Sequence, residues 1–146
     1  MTTALRTTAV RLAVVAGALA LAACASMDMM SMSSDKLALT GANEVPAVTS
    51  GASGTGAITI GADRSVAGSV TVTGMTPTAG HIHQGAAGAN GPVIVPFTQS
   101  GNTFSAPAGA KLTEAQYDAY KAGNLYVNVH SAANPGGEVR AQLKAK

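Results

Sequence analysis

Cysteine, aromatic residues and charge are all scarce in this chain of 146 residues. It has one Cys, no Trp, 3% aromatic and 11% charged residues, although 47% of its residues are hydrophobic. A single cysteine excludes an internal disulfide, so any folded domain must be stabilised by its core. The apolar content combined with the low charge excludes a disordered or acidic-tail protein. The length allows one ordinary domain.

The positive net charge of +2 comes from the N-terminus. Arg6 and Arg11 precede an apolar run at residues 12–23, and no acid occurs before that run ends. This layout is typical of a secretory signal peptide over residues 1–23, and the run is shorter than the about 20 residues that a membrane-spanning helix needs. The following string, Leu-Ala-Ala-Cys ending at Cys24, resembles the bacterial lipobox, which implies lipidation of Cys24. The alternative is an ordinary signal peptide cut nearby, with Cys24 left as a free thiol.

The remainder of the chain is neutral, with seven basic and seven acidic residues after position 23. Without a basic stripe there is no electrostatic reason to expect nucleic acid as a partner. We expect membrane contact through the lipid alone, at the cell envelope. Ala25 directly after the cysteine is compatible with sorting to the outer membrane, on its periplasmic or surface side.

Residues 24–35 form a low-complexity segment rich in Ser and Met. Their composition leaves no periodic apolar face, which predicts a flexible tether between the lipid and the domain. An alternative is that the thioethers bind a soft cation such as copper(I). The methionines concerned are Met27, Met29, Met30 and Met32.

From residue 36 to the C-terminus, short β-type runs alternate with turn residues. Val70 and Val72 alternate with Thr71 and Thr73, and the same period of two recurs around Ile58 and Val127. Many such runs predict an all-β fold, an antiparallel Greek-key β-sandwich of the immunoglobulin or superoxide dismutase type. The runs are residues 37–39, 56–60, 66–73, 80–83, 93–95, 103–105, 125–129 and 138–143, and residues 61–65 are predicted to connect a hairpin.

One segment is predicted to be helical. Residues 113–122 contain good helix formers, with a capping box at Thr113 and Gln116 and with Gly123 at the C-terminal end. Tyr117 and Tyr120 follow Leu112 at helical spacing, which predicts a short amphipathic helix packed across the sheet. Core packing is the expected role of these tyrosines.

The three histidines are the most conspicuous candidates for chemistry. His81 and His83 point to the same face of a strand because its side-chain period is two, and His130 ends a later strand. Imidazole is a common ligand for copper and zinc, and three nitrogens leave one coordination position open. The sequence therefore predicts a site for one metal ion, copper or zinc. The competing interpretation is three polar side chains packed beside loops and hydrogen-bonded to the backbone.

Five motifs follow one another along the chain: Leu39-Thr-Gly-Ala-Asn-Glu-Val-Pro-Ala47, Ala79-Gly-His-Ile-His-Gln-Gly85, Gly91-Pro-Val-Ile-Val95, Tyr126-Val-Asn-Val-His-Ser131 and Asn134-Pro-Gly-Gly-Glu-Val-Arg-Ala-Gln-Leu143. In this order they resemble the motifs of the CHRD domain, a family named after repeats in the animal protein chordin and widespread in bacterial secreted proteins. The resemblance covers about residues 36–143 and implies an extracytoplasmic β-sandwich domain without implying an activity.

A weaker resemblance concerns the histidines themselves. His-Ile-His on one strand and Val-Asn-Val-His on a later one are similar to the copper ligands of Cu,Zn superoxide dismutases. Those enzymes also use further histidines and an aspartate for zinc, and they carry an intrachain disulfide, all of which this chain lacks. The resemblance therefore implies a mononuclear copper site rather than a dinuclear dismutase.

Glu44, Glu138 and Arg140 are the remaining candidates near such a site. Glu44 is a possible carboxylate ligand or acceptor for an imidazole N–H, but we favour an ion pair between Glu44 and Arg140. Glu138 and Arg140 alternate with Val139, so both are expected to point away from the core.

Three functions follow from this pattern. The first is a lipid-anchored CHRD protein that binds copper in metal handling or redox protection, and the second is a metal-free adhesion or interaction module. The third is a mononuclear copper redox enzyme, although spacing alone assembles no nucleophile with its base and no pair of carboxylates. We therefore predict no catalytic residue.

Overall fold

Nine β-strands, one short α-helix and one 3-10 helix at Gly41–Asn43 make up the regular structure in the part of the chain that the computed structural model describes, residues 35–145. The predicted signal peptide, the predicted lipidation at Cys24 and the predicted tether of residues 24–35 lie outside the described residues, except for Asp35, which begins β1. The strands are β1 Asp35–Thr40, β2 Ser53–Ile60, β3 Val66–Thr73, β4 Pro77–Gln84, β5 Val93–Pro96, β6 Thr98–Ser100, β7 Thr103–Ser105, β8 Leu125–Ser131 and β9 Val139–Gln142, and the helix is α1 Glu114–Lys121.

The predicted antiparallel all-β class is confirmed. All strand pairs are antiparallel, and the nine strands form one sheet in the order β5-β4-β8-β9-β1-β2-β3-β7-β6. The sheet nearly closes on itself, because the Phe97 amide just before β6 donates to Gly80 O of β4 at 3.0 Å. The architecture is therefore a single barrel-like sheet in which β4 lies beside β8 rather than beside β3.

Most strands were predictable from their alternation, and β6 was not. Thr98, Gln99 and Ser100 are all exposed, so this strand has no apolar face that a period of two would reveal. The predicted hairpin at residues 61–65 is confirmed by the pairing of β2 with β3, with Arg64 in the left-handed region at φ 69°.

The core lies on the inner face of the sheet. Its fully buried members include Leu39, Val72, Ile82 and Val129, and Phe104 packs directly against the backbone of Gly80. A Cβ at Gly80 would lie 2.7 Å from the ring of Phe104, so the absence of a side chain lets this ring fill the space. The largest apolar ring of the core thus lies under β4, immediately beside His81.

Helix α1 confirms the predicted capping. Gln116 N donates to the hydroxyl of Thr113 at 3.2 Å, and the Gln116 side chain accepts from Thr113 N at 2.8 Å. Tyr117 and Tyr120 are partly buried against the core. No helix within residues 35–145 is long and apolar enough to cross a bilayer.

Candidate metal centre

The three histidines lie together on the outer face of β4 and β8. In this antiparallel pair His81 is opposite Asn128, His83 is opposite Tyr126 and Ala79 is opposite His130. Residues opposite each other share a face, and side chains alternate along a strand. The imidazoles therefore project away from the core, whereas Ile82 and Val129 between them project into it.

The geometry of the cluster suits one small cation. His81 Nδ1 and His130 Nε2 are 3.0 Å apart, and one ring nitrogen from each of the three histidines lies within 4.8 Å of the other two. The ring centroids are separated by 4.9 to 5.9 Å. Among the described residues, these three side chains are the group of His, Cys, Asp or Glu that can hold a metal ion.

Backbone carbonyls fix two of the three imidazoles. The Nδ1 atoms of His83 and His130 lie 2.9 Å from Gly91 O and Pro135 O. A carbonyl oxygen only accepts, so in each ring Nδ1 carries the proton and the neutral ring has a lone pair on Nε2. Metal-ligating histidines are commonly oriented in this way by a hydrogen bond from their other nitrogen.

The surroundings of the cluster keep the rings of His81 and His83 neutral. Burial, followed by the neighbouring His130 and His83, lowers the pKa of His81 to about 4. Burial also lowers the pKa of His83. Both rings are therefore unprotonated at neutral pH, which is the form that binds a metal.

The loop between β4 and β5, residues 85–92, covers this face of the sheet. Gly91 accepts from His83 through its carbonyl, and its N–H donates to Tyr126 Oη at 3.1 Å. A Cβ at Gly91 would overlap Gln84 O, so only glycine allows this close approach. Gly91 thereby fixes the histidine and the tyrosine at once.

Tyr126 lies between a histidine and an arginine. Its ring stacks on His83, with centroids 4.9 Å apart and planes 8° from parallel, and the guanidinium carbon of Arg140 is 3.4 Å from its centroid. Since β8 lies between β4 and β9, the two partners approach from opposite sides. Such stacking holds the His83 ring in one orientation.

The favoured ion pair between Glu44 and Arg140 is corrected by the structure. Neither ion pair found among residues 35–145 includes these two side chains. Arg140 instead donates to Ala86 O, Ala89 O and Asn90 Oδ1 of the covering loop, at 3.1, 2.8 and 3.2 Å. The loop carbonyls use the donors that a carboxylate would otherwise receive, so the arginine fastens the loop to the sheet.

Glu44 is buried near this arginine without being bound to it. Burial raises its pKa to about 7, against the opposing effects of the Arg140 charge and a hydrogen bond from Asn128. Its Oε1 atom is buried and has no hydrogen-bond partner among the described residues. Glu44 is not one of the residues whose ligand atoms converge with the histidines.

Glu138 directly precedes β9 and is not part of the histidine cluster. Its Oε2 atom accepts a short hydrogen bond from the Ser131 hydroxyl, and this bond lowers the pKa of Glu138. Like Arg140, Glu138 is buried, which an expected orientation away from the core does not by itself indicate. Sequence alternation separates the core face from the opposite face but does not reveal which part of the opposite face a loop will cover.

Sequence reasoning missed Tyr126 and Asn128. Both are buried, and both share the outer face of β8 with His130. Their positions two and four residues before His130 were the available signal, since a strand places alternate residues on one face.

A family model, the CHRD domain, matches residues 36–143. The chain belongs to the CHRD domain family. No curated protein and no solved structure matches the chain. The CHRD motifs that contain the histidines thus meet at one place in the fold, since the Ala79–Gly85 and Tyr126–Ser131 motifs form the paired strands β4 and β8.

A groove of about 820 Å³ lies beside the cluster, over β1 and β9. Glu44, Arg140 and Gln142 line it together with Lys36 and Lys144, but no histidine does. We assign the chemistry to the histidine cluster because its ring nitrogens converge and its residues are buried or half-buried, whereas the arginine of the groove is already bound to the loop.

Proposed function

We propose that this CHRD domain binds one copper ion through His81, His83 and His130, and that it serves in metal handling or redox protection at the cell envelope. The observation that carries the proposal is the convergence of one ring nitrogen from each of three imidazoles, two of the rings being oriented by backbone carbonyls. Imidazole ligands suit copper and zinc, and copper(II) binds such sites more tightly than other divalent ions of its row.

Lipid anchoring through Cys24 is part of the proposal. The lipobox string and the preceding apolar run support it. A Cys24→Ala variant is expected to leave the membrane fraction and to lose labelling by a radioactive fatty acid. Retention of the label by this variant would contradict an anchor at Cys24.

Metal content of the isolated full-length protein is the direct test of the metal site. We expect about one copper per chain by mass spectrometry after expression with copper supplied, and loss of that copper in a His81→Ala/His83→Ala/His130→Ala variant. The matched control replaces Met27, Met29, Met30 and Met32 with Leu, which removes the thioethers and leaves every imidazole. Copper lost from the methionine variant and kept by the histidine variant would contradict the proposal.

A metal-free interaction module is the second candidate, because the cluster can also be held together without an ion. His81 Nδ1 and His130 Nε2 are at hydrogen-bond distance, and a single proton between them satisfies both atoms. A protein that is isolated metal-free and shows no heat of binding on titration with copper or zinc would favour this function.

A further inference from the structure

Asn128 occupies the centre of the histidine cluster. It is directly opposite His81 on β4, diagonal to His83 and two residues before His130, and its side chain is 2% exposed. No other amide side chain is opposite one of these histidines in the pairing of β4 with β8. The question is which end of the amide faces the imidazoles.

The amino end of Asn128 points toward the loop after β8. Nδ2 donates to Gly136 O at 3.5 Å, and the side chain also hydrogen-bonds to Glu44. A Cβ at Gly137 would lie 2.5 Å from both Asn128 Nδ2 and Glu44 Oε1, so both atoms line the space that this glycine leaves. A carboxylate and a carbonyl only accept, which assigns the amide nitrogen to this side and the oxygen to the other.

The oxygen end of Asn128 faces the cluster and is unsatisfied. Oδ1 is buried without a hydrogen-bond partner in the described part of the chain, and so is His83 Nε2. The Asn128 side chain is close enough to the His83 ring to oppose the lowering of the His83 pKa by burial. Since His83 Nδ1 carries the proton, Nε2 and Oδ1 are two acceptors near each other with no donor between them.

Two buried acceptors without a donor are costly, by about 1–3 kcal/mol for each group left unsatisfied. A cation between them removes this cost because both atoms have lone pairs to offer. Building on the proposed function, we infer that Asn128 Oδ1 is the fourth donor of the metal site, which completes a set of three imidazole nitrogens and one amide oxygen.

This donor set has a consequence for the ion. Amide oxygen is a hard ligand that suits divalent ions, whereas copper(I) prefers soft or nitrogen ligands and is satisfied by the imidazoles. Asn128 therefore selects copper(II) over copper(I) and lowers the reduction potential of the bound copper. This potential describes the reduction of bound copper(II) to copper(I) by one electron, in which the Asn128 side chain itself does not react.

The first test compares Asn128→Leu with wild type in the full-length protein. We expect the copper(II) affinity to fall at least about tenfold, the lower limit for loss of groups that support a metal. The copper(I) affinity should stay within about twofold of wild type. Each tenfold loss of copper(II) affinity relative to copper(I) affinity raises the one-electron reduction potential of the bound copper by about 59 mV.

A double variant guards against misfolding of Asn128→Leu. Asn128→Asp combined with Glu44→Gln keeps both shapes and the hydrogen bond between them, with the amide donor now on residue 44. The negative charge moves to the position that faces the ion, so the copper(II) affinity should rise and the potential should fall. Gln142→Leu is the matched control. Gln142 is an amide on the same face of β9 as Arg140, and its Nε2 donates to Gly85 O and Gly123 O, both at 2.8 Å.

The outcomes separate the inference from the function on which it rests. A wild-type protein that binds no copper overturns both. A wild-type protein that binds copper overturns the inference alone if the double variant leaves the potential unchanged, or if Gln142→Leu shifts it as much as Asn128→Leu does. Opposite shifts in the potential for Asn128→Leu and the double variant support Asn128 as the fourth donor.

Discussion

The outer face of the sheet differs between its two halves. On β2, β3 and β7 it carries many exposed or partly exposed hydroxyl residues, such as Thr55, Thr71 and Thr103, and the hydroxyls of Thr71 and Thr103 are 2.9 Å apart. On β4, β8 and β9 it consists of histidines, Tyr126, Asn128 and Arg140, most of them buried. We call these the open half and the covered half.

The difference arises from the loops rather than from the strands. Both halves alternate with a period of two and present apolar side chains to the same core. Only the covered half is overlaid by residues 85–92 and 132–138, whose carbonyls bind Arg140, His83 and His130. Polar side chains become useful for binding where a loop removes them from water and fixes their orientation.

The largest effect should come from removing the arginine that holds the loop. Arg140→Met removes the hydrogen bonds from a buried guanidinium to Ala86 O, Ala89 O and Asn90 Oδ1, and because a hydrogen bond from a charged group contributes about 1.5–3 kcal/mol, we expect a loss of about 3–5 kcal/mol in the free energy of unfolding. Urea denaturation of the metal-free protein measures it. In the open half, Thr71→Val should cost less than about 0.5 kcal/mol, and equal costs in the two halves would refute the distinction.

A pH-dependent effect should distinguish Glu44 from surface carboxylates. Its pKa is raised from 4.5 to about 7, so its protonated form stabilises the fold fully below pH 4.5, and this contribution is lost as the pH rises through 7. Glu44→Gln does not titrate and should gain up to about 3 kcal/mol over wild type between pH 4.5 and pH 8. His81 titrates in both proteins and cancels in the difference.

The measurement for Glu44 is denaturation of both metal-free proteins across that pH range. In the open half, Asp63→Asn provides the contrast. Hydrogen bonds from Ser65 lower the pKa of Asp63, so its contribution is lost as the pH falls and has the opposite sign. A difference between wild type and Glu44→Gln that does not vary with pH would contradict the burial of an acidic group at this place.

The close approach of Gly91 predicts a smaller effect. Gly91→Ala forces the loop away from Gln84 and should cost about 2 kcal/mol, with a parallel loss of copper affinity because His83 loses its acceptor. Gly136→Ala is the control, since a Cβ there meets nothing within 4 Å. Thermal unfolding and copper titration of both variants provide the comparison, and similar behaviour of the two variants would contradict it.

The smallest effect concerns the hydroxyl of Tyr126. Tyr126→Phe keeps the stack between His83 and Arg140 but removes the acceptor for Gly91 N–H, at an expected cost of about 1 kcal/mol. Faster amide hydrogen exchange should be confined to residues 85–92. Exchange that accelerates throughout β8 instead would mean that the hydroxyl supports the strand rather than the loop.

The sequence was sufficient for the strands that have one apolar face, for the capped helix and for the grouping of the histidines. A period of two decides which face of a strand a side chain occupies. The capping box is recognisable from the spacing of Thr113 and Gln116 alone. Strand β6 was not predictable in this way because all three of its residues are exposed. Its position depends on pairing with β7, which is not a local property.

The partners of the site residues could not be read in the same way. An ion pair of Arg140 with Glu44 is expected when strands at the two ends of the domain meet, but the carbonyls of the loop also accept from a guanidinium, and the sequence does not show where they lie. Asn128 was visible in the Val-Asn-Val-His string, yet its importance depends on a partner on another strand, His81. The sequence gives the chemical type of each side chain, whereas the positions of the backbone carbonyls that accept hydrogen bonds depend on the fold.

The alternation of side chains along β8 places its core residues and its site residues on opposite faces of the strand. Leu125, Val127 and Val129 face the core, and Tyr126, Asn128 and His130 face the cluster. A designer can therefore exchange the members of one set without touching the packing of the other. The same barrel offers a frame for a series of engineered sites, in which donor atoms are varied one at a time against a constant interior.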